Sequence, residues 1–335
     1  MVLRNYPLEK LNSFGMKVKA SAFLVLNSEY EASRLRERDE ILNGRRLILG
    51  GGSNILFTED YDGVIIKVAI TGTEIVGRER DKIVVKVGAG VVWDDFVLWA
   101  VQNGYGGTEN LSLIPGETGA AAVQNIGAYG AEVSNLIRRV DVCEIDTGRH
   151  EVIEQSDCRF SYRSSIFKED IKGSHMVTSV TFALSLNHTT DCSYGSLSEY
   201  ADRLGGRSIE NVRNAVIQIR QSKLPDPLVT GNAGSFFKNP VVDDSLAHEL
   251  LSEYPDMPVY DAGEGRKKIA AAWLIERCGW KGFRRGDAGV HKLQALVLVN
   301  HGTATGREIL ELSEDIRIDV ASRFGINLSR EVELI

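Results

Sequence analysis

The sequence predicts an α+β fold in two parts, and three observations carry this prediction. Strand-like and helix-like segments are mixed without the regular βαβ alternation that a doubly wound sheet would show. The chain has 335 residues, 43% hydrophobic and 25% charged, which is ordinary for a globular protein long enough for two or three domains. A change of pattern near Gly205-Gly206 separates a first region, residues 1–206, from a second, residues 207–335.

The first region is predicted to begin with a helix and to continue with strands. Ser28 to Glu31 has the pattern of a capping box, and the helix that it opens would end at Asn43-Gly44, before a strand. The elements predicted after the glycine-rich turn are a strand at 82–87, a helix at 93–103 stopped by Gly104, and a strand at 139–145 that turns at 146–148 into a partner around Val152.

The second region is predicted to begin with a helix from Ser208 to Ser222. Apolar residues recur at helical spacing within it, and Pro225 and Pro227 prevent its continuation. The elements predicted beyond it are a helix from about Lys268 to Cys278, a strand from Ala295 to Val299, and a long helix from about Thr305 to Phe324.

A run of three glycines, Gly50, Gly51 and Gly52, followed by Ser53 and Asn54, lies between two short apolar strands. Glycine adopts positive φ and lets backbone amides converge on a ligand, and the two polar side chains add donors, so this turn is typical of a pyrophosphate site. A glycine-rich hairpin is the alternative. A second segment, Leu113 to Gly130, is dense in glycine and alanine and suits a wall against an extended ligand. Together the two segments predict one large cofactor.

Several function classes are disfavoured. A formal net charge of −7 and a pI near 5.5 argue against a nucleic-acid-binding protein. The cysteines form no CxxC pair and the histidines no HExxH, so we expect free thiols and no metal. No apolar run has the length of a signal peptide or a membrane span, which predicts a cytoplasmic protein. The Gly88-Ala89-Gly90 motif fails as a Rossmann fingerprint because Trp93 stands where a small residue is needed.

Five motifs, taken in their order and spacing over nearly the whole chain, carry a family resemblance. They are the turn 50–54, the segment 114–130, the pair Tyr162-Arg163, the block 223–240 that begins Lys-Leu-Pro-Asp-Pro and ends Gly-Ser-Phe-Phe-Lys-Asn-Pro, and the terminal Glu331-Val332. With these the chain resembles the UDP-N-acetylenolpyruvoylglucosamine reductases. Tyr194 and the length of the segment 224–268 resemble the longer, lid-tyrosine type of that family.

The resemblance implies a fold and a reaction. The fold would be an FAD-binding region of the vanillyl-alcohol-oxidase-like type, in subdomains of about 1–69 and 70–206, plus a C-terminal α+β substrate-binding domain, 207–335, that ends in the strand carrying Glu331. The reaction would be the reduction of UDP-N-acetylglucosamine enolpyruvate to UDP-N-acetylmuramate in bacterial peptidoglycan synthesis. NADPH would be the reductant and bound FAD the hydride carrier, with hydride delivered to C3 and a proton from Ser235 to C2.

The resemblance also implies site residues. Arg163 would stabilise the charge that develops on the substrate carboxylate, Ser235 would be the general acid, and Glu331, protonated or paired with Arg163 during turnover, would be the third catalytic residue. The implied FAD contacts are Gly50, Gly51, Gly52, Ser53, Asn54, Ile114, Pro115, Gly116, Thr118, Gly119, Asn125, Gly127, Ala128 and Arg220. The implied substrate contacts are Tyr162, Tyr194, Lys223, Asn239, Tyr260, Lys268 and Gln294.

Each of these residues has a plainer interpretation. Arg163 alone could be a structural ion pair, Ser235 a small residue in a turn, and each lysine a solvated surface charge. The chain also departs from the family pattern, because Glu333 stands where relatives carry arginine. Two other functions stay open from the sequence: a flavin oxidase or dehydrogenase acting on an alcohol or sugar, and a nucleotide-sugar-binding protein without redox chemistry. The resemblance favours a monomer.

Overall fold

A computed structural model describes residues 1–38, 41 and 43–335 of the chain, which form two compact units. Unit 1 comprises residues 1–6, 20–52 and 62–222, and unit 2 comprises residues 7–19, 53–61 and 223–335. This division differs from the predicted boundary at residue 206. Two short early segments belong to unit 2, and the helix after Gly206 belongs to unit 1 except for its last residue.

The first sheet of unit 1 holds strands from the start of the chain. Its strands are β1 (Leu3–Pro7), β2 (Lys19–Leu26), β3 (Arg46–Leu49) and β5 (Tyr61–Val68) in the order β1-β2-β5-β3. Strand β3 runs parallel to β5, with Leu47 opposite Ile65. The predicted helix at Ser28 is short: α1 spans Glu29–Ser33 and passes into a 3₁₀ turn at Arg34–Glu37. Residues 39, 40 and 42 of its predicted extent lie outside the described residues.

The second sheet of unit 1 is antiparallel and carries the centre of its core. Its strands are β6 (Thr73–Glu79), β7 (Lys82–Gly88), β10 (Ile137–Glu144), β11 (His150–Glu154) and β12 (His175–Ser185), in the order β11-β10-β12-β7-β6. Val180 in the central strand lies opposite both Val140 and Val87, and all three are fully buried. Such a row of β-branched side chains packs well on a pleated surface. The predicted strands at 82–87 and 139–145 and the partner around Val152 are confirmed.

The described helices of unit 1 that follow α1 pack in two places: those at 93–102 and 118–124 share the core of this sheet, and those at 197–203 and 209–223 enclose a separate apolar cluster. They are α2 (Trp93–Gln102), α3 (Thr118–Gln124), α4 (Leu197–Arg203) and α5 (Ile209–Lys223), the last ending in unit 2. Trp93 is buried beside Phe182, at 5.9 Å between ring centroids, and donates its indole N–H to the carbonyl of Leu111. The predicted helices at 93–103 and 208–222 are confirmed within a residue or two.

The glycines of the failed Rossmann motif have a packing explanation. A Cβ on Gly88 would lie 2.4 Å from the carbonyl oxygen of Ile70, and one on Gly90 would lie 2.7 Å from the Ala69 backbone. The amide of Gly90 also donates to the Ile70 carbonyl at 2.8 Å. These glycines therefore serve a close approach between two backbone segments, which any side chain would prevent.

Unit 2 contains two larger sheets and one short parallel pair. The first sheet has β13 (Gly231–Ser235), β17 (Arg284–Arg285), β18 (Ala288–Val290) and β19 (Val297–Asn300) in the order β13-β19-β18-β17. The second has β14 (Val241–Asp243), β15 (Val259–Asp261) and β16 (Arg266–Ile269) in the order β14-β16-β15. Strand β4 (Ile55–Leu56) pairs in parallel with the last strand, β20 (Glu333–Leu334).

Three helices accompany these sheets in the described part of unit 2: α6 (Asp244–Glu253), α7 (Ala271–Arg277) and α8 (Gly306–Phe324). Helix α8 is confirmed as predicted, with a capping box between Thr305 and Glu308 and Gly325 at φ 66° beyond its end. The predicted start of a helix at Lys268 is wrong, because that residue pairs in β16 and α7 begins three residues later. None of the described helices is long and apolar enough to cross a membrane.

Candidate active site

The two glycine-rich segments meet within unit 1. A Cβ built on Gly51 would lie 3.1 Å from the Cα of Gly116, and one on Gly50 would lie 3.2 Å from the Cβ of Ala120. The glycine turn and the start of α3 therefore approach each other with almost no side chain between them. Such a surface presents backbone groups to a ligand, as expected for a cofactor site.

A buried ion pair lies under this surface and was missed by the sequence analysis. Lys67 of β5 bonds both carboxylate oxygens of Glu117 at 2.6 Å, and the two side chains are 15% and 13% exposed. Glu117 also lies 3.5 Å from the position of a Cβ on Gly50. Burial raises the pKa of Glu117 and outweighs the opposing effect of Lys67. No local pattern could reveal a partner fifty residues away.

The start of the second segment is fixed by another buried charge. The Asp94 carboxylate accepts hydrogen bonds from the Leu113 amide at 2.6 Å and from the Arg213 guanidinium at 2.7 and 2.9 Å. Burial alone would raise the pKa of Asp94, but Arg213 and the amide hold it below its usual value. Ile114 packs against the core of unit 1 directly after this anchor, and Pro115 follows it.

Two predicted cofactor residues use their side chains to hold the loop. The Thr118 hydroxyl donates to the Val91 carbonyl at 3.1 Å. Asn125, at φ 46°, donates to the Ser161 carbonyl at 2.9 Å and to Glu132, and its oxygen accepts from the Ser134 amide. Gly119 has no room for a side chain, since its Cβ would lie 2.7 Å from that of Ala89. Contacts from these positions to a cofactor would come from the backbone.

Arg163 lies against the end of the same segment. Its guanidinium donates to the carbonyl oxygens of Gly127 and Asn125 and lies 5.1 Å from the centre of the Tyr162 ring. A Cβ on Gly127 would meet this guanidinium at 2.8 Å. Gly127 and Ala128 form β8, which pairs with β9 (Ala131–Glu132). Arg163 has φ 56°, which is uncommon for a residue with a side chain, so its position is strongly constrained.

Arg220 on α5 is a predicted cofactor residue with a buried donor. Among the described residues, its Nε has no hydrogen-bond partner. Burial lowers the pKa of its guanidinium, and the nearby Tyr129 and Asp94 oppose this shift. Tyr129 packs edge-on against Tyr194 at 6.0 Å, and burial raises the pKa of Tyr129. Unit 1 thus brings the predicted lid tyrosine to the segment that contains Gly127 and Ala128. A buried, unsatisfied donor is costly unless a ligand completes it.

In unit 2, Ser235 ends strand β13 opposite Val297. The amide of Gly234, at φ 67°, donates to the Asn232 side-chain oxygen at 2.9 Å, which fixes the irregular end of the strand. Ser235 is half-buried. It is therefore a rigidly placed hydroxyl at a strand end.

Glu331 is placed beside the same strand by its backbone. Its amide donates to the Phe236 carbonyl at 2.8 Å, directly after Ser235, and its carbonyl accepts from the Asn54 side chain at 3.1 Å. The amide of Glu333 in turn donates to the Asn54 carbonyl at 3.0 Å. Unit 2 therefore brings Ser235, Glu331 and Asn54 together, although 277 residues separate the last two. Ser53 precedes Asn54 and is half-buried.

The predicted substrate residues of unit 2 are only partly grouped. Tyr260 and Lys268 are direct cross-strand partners in β15 and β16, so their side chains share one face of the sheet. The Asn239 side-chain oxygen accepts from the Ala271 amide at 3.0 Å and thereby holds the start of α7. The Gln294 side chain accepts from the Leu296 amide at 3.4 Å within a turn, and Lys223 is exposed at the end of α5.

One group of potential metal ligands lies elsewhere in unit 1. Among the described residues, Glu144, Glu151 and His175 bring ligand atoms within 4.8 Å of one another. The Arg149 guanidinium already bonds Glu151 at 2.5 Å, and the Thr147 hydroxyl bonds Glu144 at 2.6 Å. A charged and a neutral donor thus occupy these carboxylates. All four cysteines are free thiols.

Comparisons with known proteins agree along the whole chain. Residues 226–335 match the family described as UDP-N-acetylenolpyruvoylglucosamine reductase, C-terminal domain, and residues 40–153 match the FAD binding domain family. The chain is 47% identical over 332 residues to UDP-N-acetylenolpyruvoylglucosamine reductase of Bacteroides fragilis, covering 99% of each chain. It is 44% identical over 334 residues to the protein of the same name from Flavobacterium johnsoniae, covering 99% of this chain and 98% of the relative.

A solved structure shares the fold. The UDP-N-acetylenolpyruvylglucosamine reductase of Thermus caldophilus matches with a TM-score of 0.68 and 22% identity, over 100% of this chain and 98% of that one. At this identity the match is evidence for the fold alone. It agrees with an α+β chain that contains an FAD-binding domain and a C-terminal reductase domain.

Proposed function

The chain belongs to the UDP-N-acetylenolpyruvoylglucosamine reductase family, and from this premise we propose that Arg163, Ser235 and Glu331 carry its catalytic step. The protein is an oxidoreductase that uses FAD and NADPH to reduce UDP-N-acetylglucosamine enolpyruvate to UDP-N-acetylmuramate for peptidoglycan. Its relatives therefore favour the reductase over the oxidase and the binding-protein alternatives. The assignment of roles to single residues is our proposal.

The residues present suit FAD. The approach of Gly51 to Gly116 at 3.1 Å leaves backbone groups available to an extended ligand, and the unsatisfied Nε of Arg220 requires an acceptor. We assign the turn 50–54 and the segment 114–128 to the cofactor, with Arg220 as a donor to it. The main-chain amides of the turn would bind the pyrophosphate, because converging N–H groups form an anion site without a side-chain cation.

Bound FAD would supply the hydride, obtained from NADPH, that reduces the enolpyruvyl group at C3. Negative charge then develops at C2 and the substrate carboxylate, and a guanidinium that is always charged and planar can stabilise it. Arg163 is suited to this because two loop carbonyls and the Tyr162 ring hold its guanidinium, so little reorganisation is needed. Its strained φ of 56° agrees with a constrained functional position.

Ser235 is our candidate for the proton donor to C2. A serine hydroxyl is a weak acid in water, but it can transfer a proton to a strongly basic carbon when it is held in place and water is excluded. The single observation that carries this assignment is the backbone bond of 2.8 Å between Glu331 and Phe236, which keeps Ser235 and Glu331 on neighbouring chain segments. Glu331 would then orient or replenish the proton.

The remaining polar residues would bind the substrate nucleotide. Tyr260 and Lys268, on one face of β15 and β16, offer a hydroxyl and an ammonium to a diphosphate. Tyr194, which is half exposed beside Tyr129, would close over the substrate. Lys223, Asn239, Gln294 and Tyr162 complete the proposed set. We further propose that the enzyme is cytoplasmic and monomeric. Light scattering of the FAD-loaded protein tests its oligomeric state.

Anaerobic stopped-flow absorbance tests the role of Ser235. We expect NADPH to bleach the flavin of the Ser235→Ala enzyme at the wild-type rate. Reoxidation of that flavin by UDP-N-acetylenolpyruvoylglucosamine should slow about 10²–10⁴-fold, as for loss of a general acid. The control is Ser252→Ala, an exposed serine on α6, which should leave both steps unchanged. Equal slowing of both steps in Ser235→Ala would argue against a proton donor.

A further inference from the structure

The chain segment that carries Glu331 pairs residue by residue with the segment after Ser235. The Lys238 amide donates to the Ser329 carbonyl at 2.9 Å, Phe237 and Arg330 form a bridge, and the Glu331 amide donates to the Phe236 carbonyl at 2.8 Å. We call residues 328–331 the tail. These backbone bonds fix the part of the chain on which the Glu331 side chain stands.

Side chains of helix α8 bond the tail at two positions. The Arg330 guanidinium bonds the Glu314 carboxylate, and its Nε donates to the Ser313 hydroxyl at 3.1 Å. Arg317 bonds the same carboxylate at 2.8 Å and donates from Nε to the Leu328 carbonyl at 2.9 Å. The hydrogen bond from Arg330 holds the pKa of Glu314 below its usual range. The tail is thus fixed to α8 at residues 328 and 330.

Adjacency in the chain relates this anchor to Glu331. Arg330, with 17% side-chain exposure, is bonded to α8, and Val332, two residues on, is 3% exposed. The chain bends at Glu331 and Val332, and the Glu331 amide is bonded to the Phe236 carbonyl. Glu331 therefore stands on a bend whose two neighbouring residues are both held in place, and a shift of Arg330 would move it.

We propose that Arg330, through its ion pair with Glu314, is a positioning residue that sets the orientation of Glu331 during substrate reduction. The inference rests on the proposed catalytic role of Glu331. A small displacement of a catalytic group costs a large rate factor. The role proposed for Glu331 belongs to substrate reduction, so we expect flavin reduction by NADPH to be insensitive to the anchor.

The experiment measures both half-reactions of the FAD-loaded enzyme by anaerobic stopped flow. We expect Arg330→Met to slow reoxidation by the enolpyruvyl substrate about tenfold or more, while bleaching by NADPH stays within about twofold of wild type. Glu314→Gln should slow the same step. The control on the same helix is Arg307→Met, which removes an exposed ion pair of 2.8 Å to Glu59 and should change neither step.

A charge exchange separates positioning from general stability. Arg330→Glu combined with Glu314→Arg reverses the pair, and it should recover most of the substrate step that Arg330→Glu alone loses. If Arg330→Met does not fold, Arg330→Lys keeps the charge, loses the Nε bond to Ser313 and should show a smaller slowing of the substrate step.

Three results would overturn the inference: normal reoxidation in Arg330→Met, equal slowing of both half-reactions, or no recovery in the exchanged pair. Glu331→Gln distinguishes this from a failure of the proposed function. Normal reoxidation in Glu331→Gln would remove the role of Glu331 itself, whereas slow reoxidation in Glu331→Gln with normal reoxidation in Arg330→Met would reject only the anchor.

Discussion

Two regions of the molecule are built by opposite means. One is the glycine wall of unit 1, where Gly50 and Gly51 meet Gly116 and Ala120, and the other is the tail of unit 2. At the wall, Gly50 and Gly51 approach the start of α3 so closely that a Cβ has little or no room. At the tail, Arg330, Arg317 and Glu314 fix the backbone through their side chains. The wall depends on side chains being absent and the tail on particular side chains being present. Substitutions should therefore act on the wall through steric overlap and on the tail through lost bonds.

The Lys67–Glu117 ion pair is an exception to this contrast. It lies beside Gly50 of the glycine wall, yet it depends on two charged side chains. The two side chains are only 15% and 13% exposed, so Lys67→Met leaves the carboxyl group largely buried without its partner and should lower the free energy of unfolding by about 2–3 kcal/mol. Urea denaturation measures this change. The double variant Lys67→Met/Glu117→Leu should regain most of the loss.

The matched control is Arg138→Met, which removes an exposed pair to Glu79 at 3.5 Å and should cost little. Equal losses in Lys67→Met and Arg138→Met would show that the buried pair contributes no more than a surface one.

A glycine substitution tests the steric constraint on this part of unit 1. Gly119→Ala puts a Cβ 2.7 Å from that of Ala89, which the short side chain cannot avoid, so we expect a loss of about 2 kcal/mol and weaker FAD retention. Gly77→Ala is the control, since its nearest neighbour lies at 3.8 Å. Thermal unfolding and FAD titration measure both effects. A Gly119→Ala protein as stable as Gly77→Ala would contradict the steric constraint.

The pair of His188 and Glu109 in unit 1 predicts that stability depends on pH. His188 bonds the buried Glu109 at 2.6 Å, and Glu109 accepts from the Gly107 amide at 2.7 Å. The bond to Glu109 raises the pKa of His188 above its ordinary value. A group with a raised folded-state pKa stabilises the fold fully below the unfolded pKa, about 6.5 for histidine, and this contribution is lost as pH rises through the folded-state pKa.

The wild type should therefore exceed His188→Gln in free energy of unfolding by a larger margin at low pH than at high pH. Urea denaturation on either side of the histidine transition checks this. A difference that stays constant or grows with rising pH would contradict the assigned direction.

Local signals predicted the fold well where one segment contains its own information. Helix α8 carries its capping box and its terminal glycine within the segment. The strand around Val140 alternates between apolar and polar residues, and the strand around Val87 is rich in β-branched residues. Lys268 was wrongly included in the helix that follows it, because strand β16 is defined by its pairing partners in β14 and β15. The glycine turn and the glycine-rich segment after it were predicted from their composition, and the other candidate-site residues from the resemblance. Lys67, Asp94 and Arg330 were missed, because their partners lie far along the chain.

Asn54 gives the glycine turn a second connection, since its side chain and its carbonyl both bond the last residues of the chain. Coupling of this kind is thermodynamically reciprocal: a ligand that orders the turn must favour the ordered chain end by the same factor. The amides of Glu331 and Glu333 should therefore exchange with deuterium more slowly once FAD is bound. Removing residues 331–335 should correspondingly weaken FAD retention, because the bonds between Asn54 and this segment would be lost.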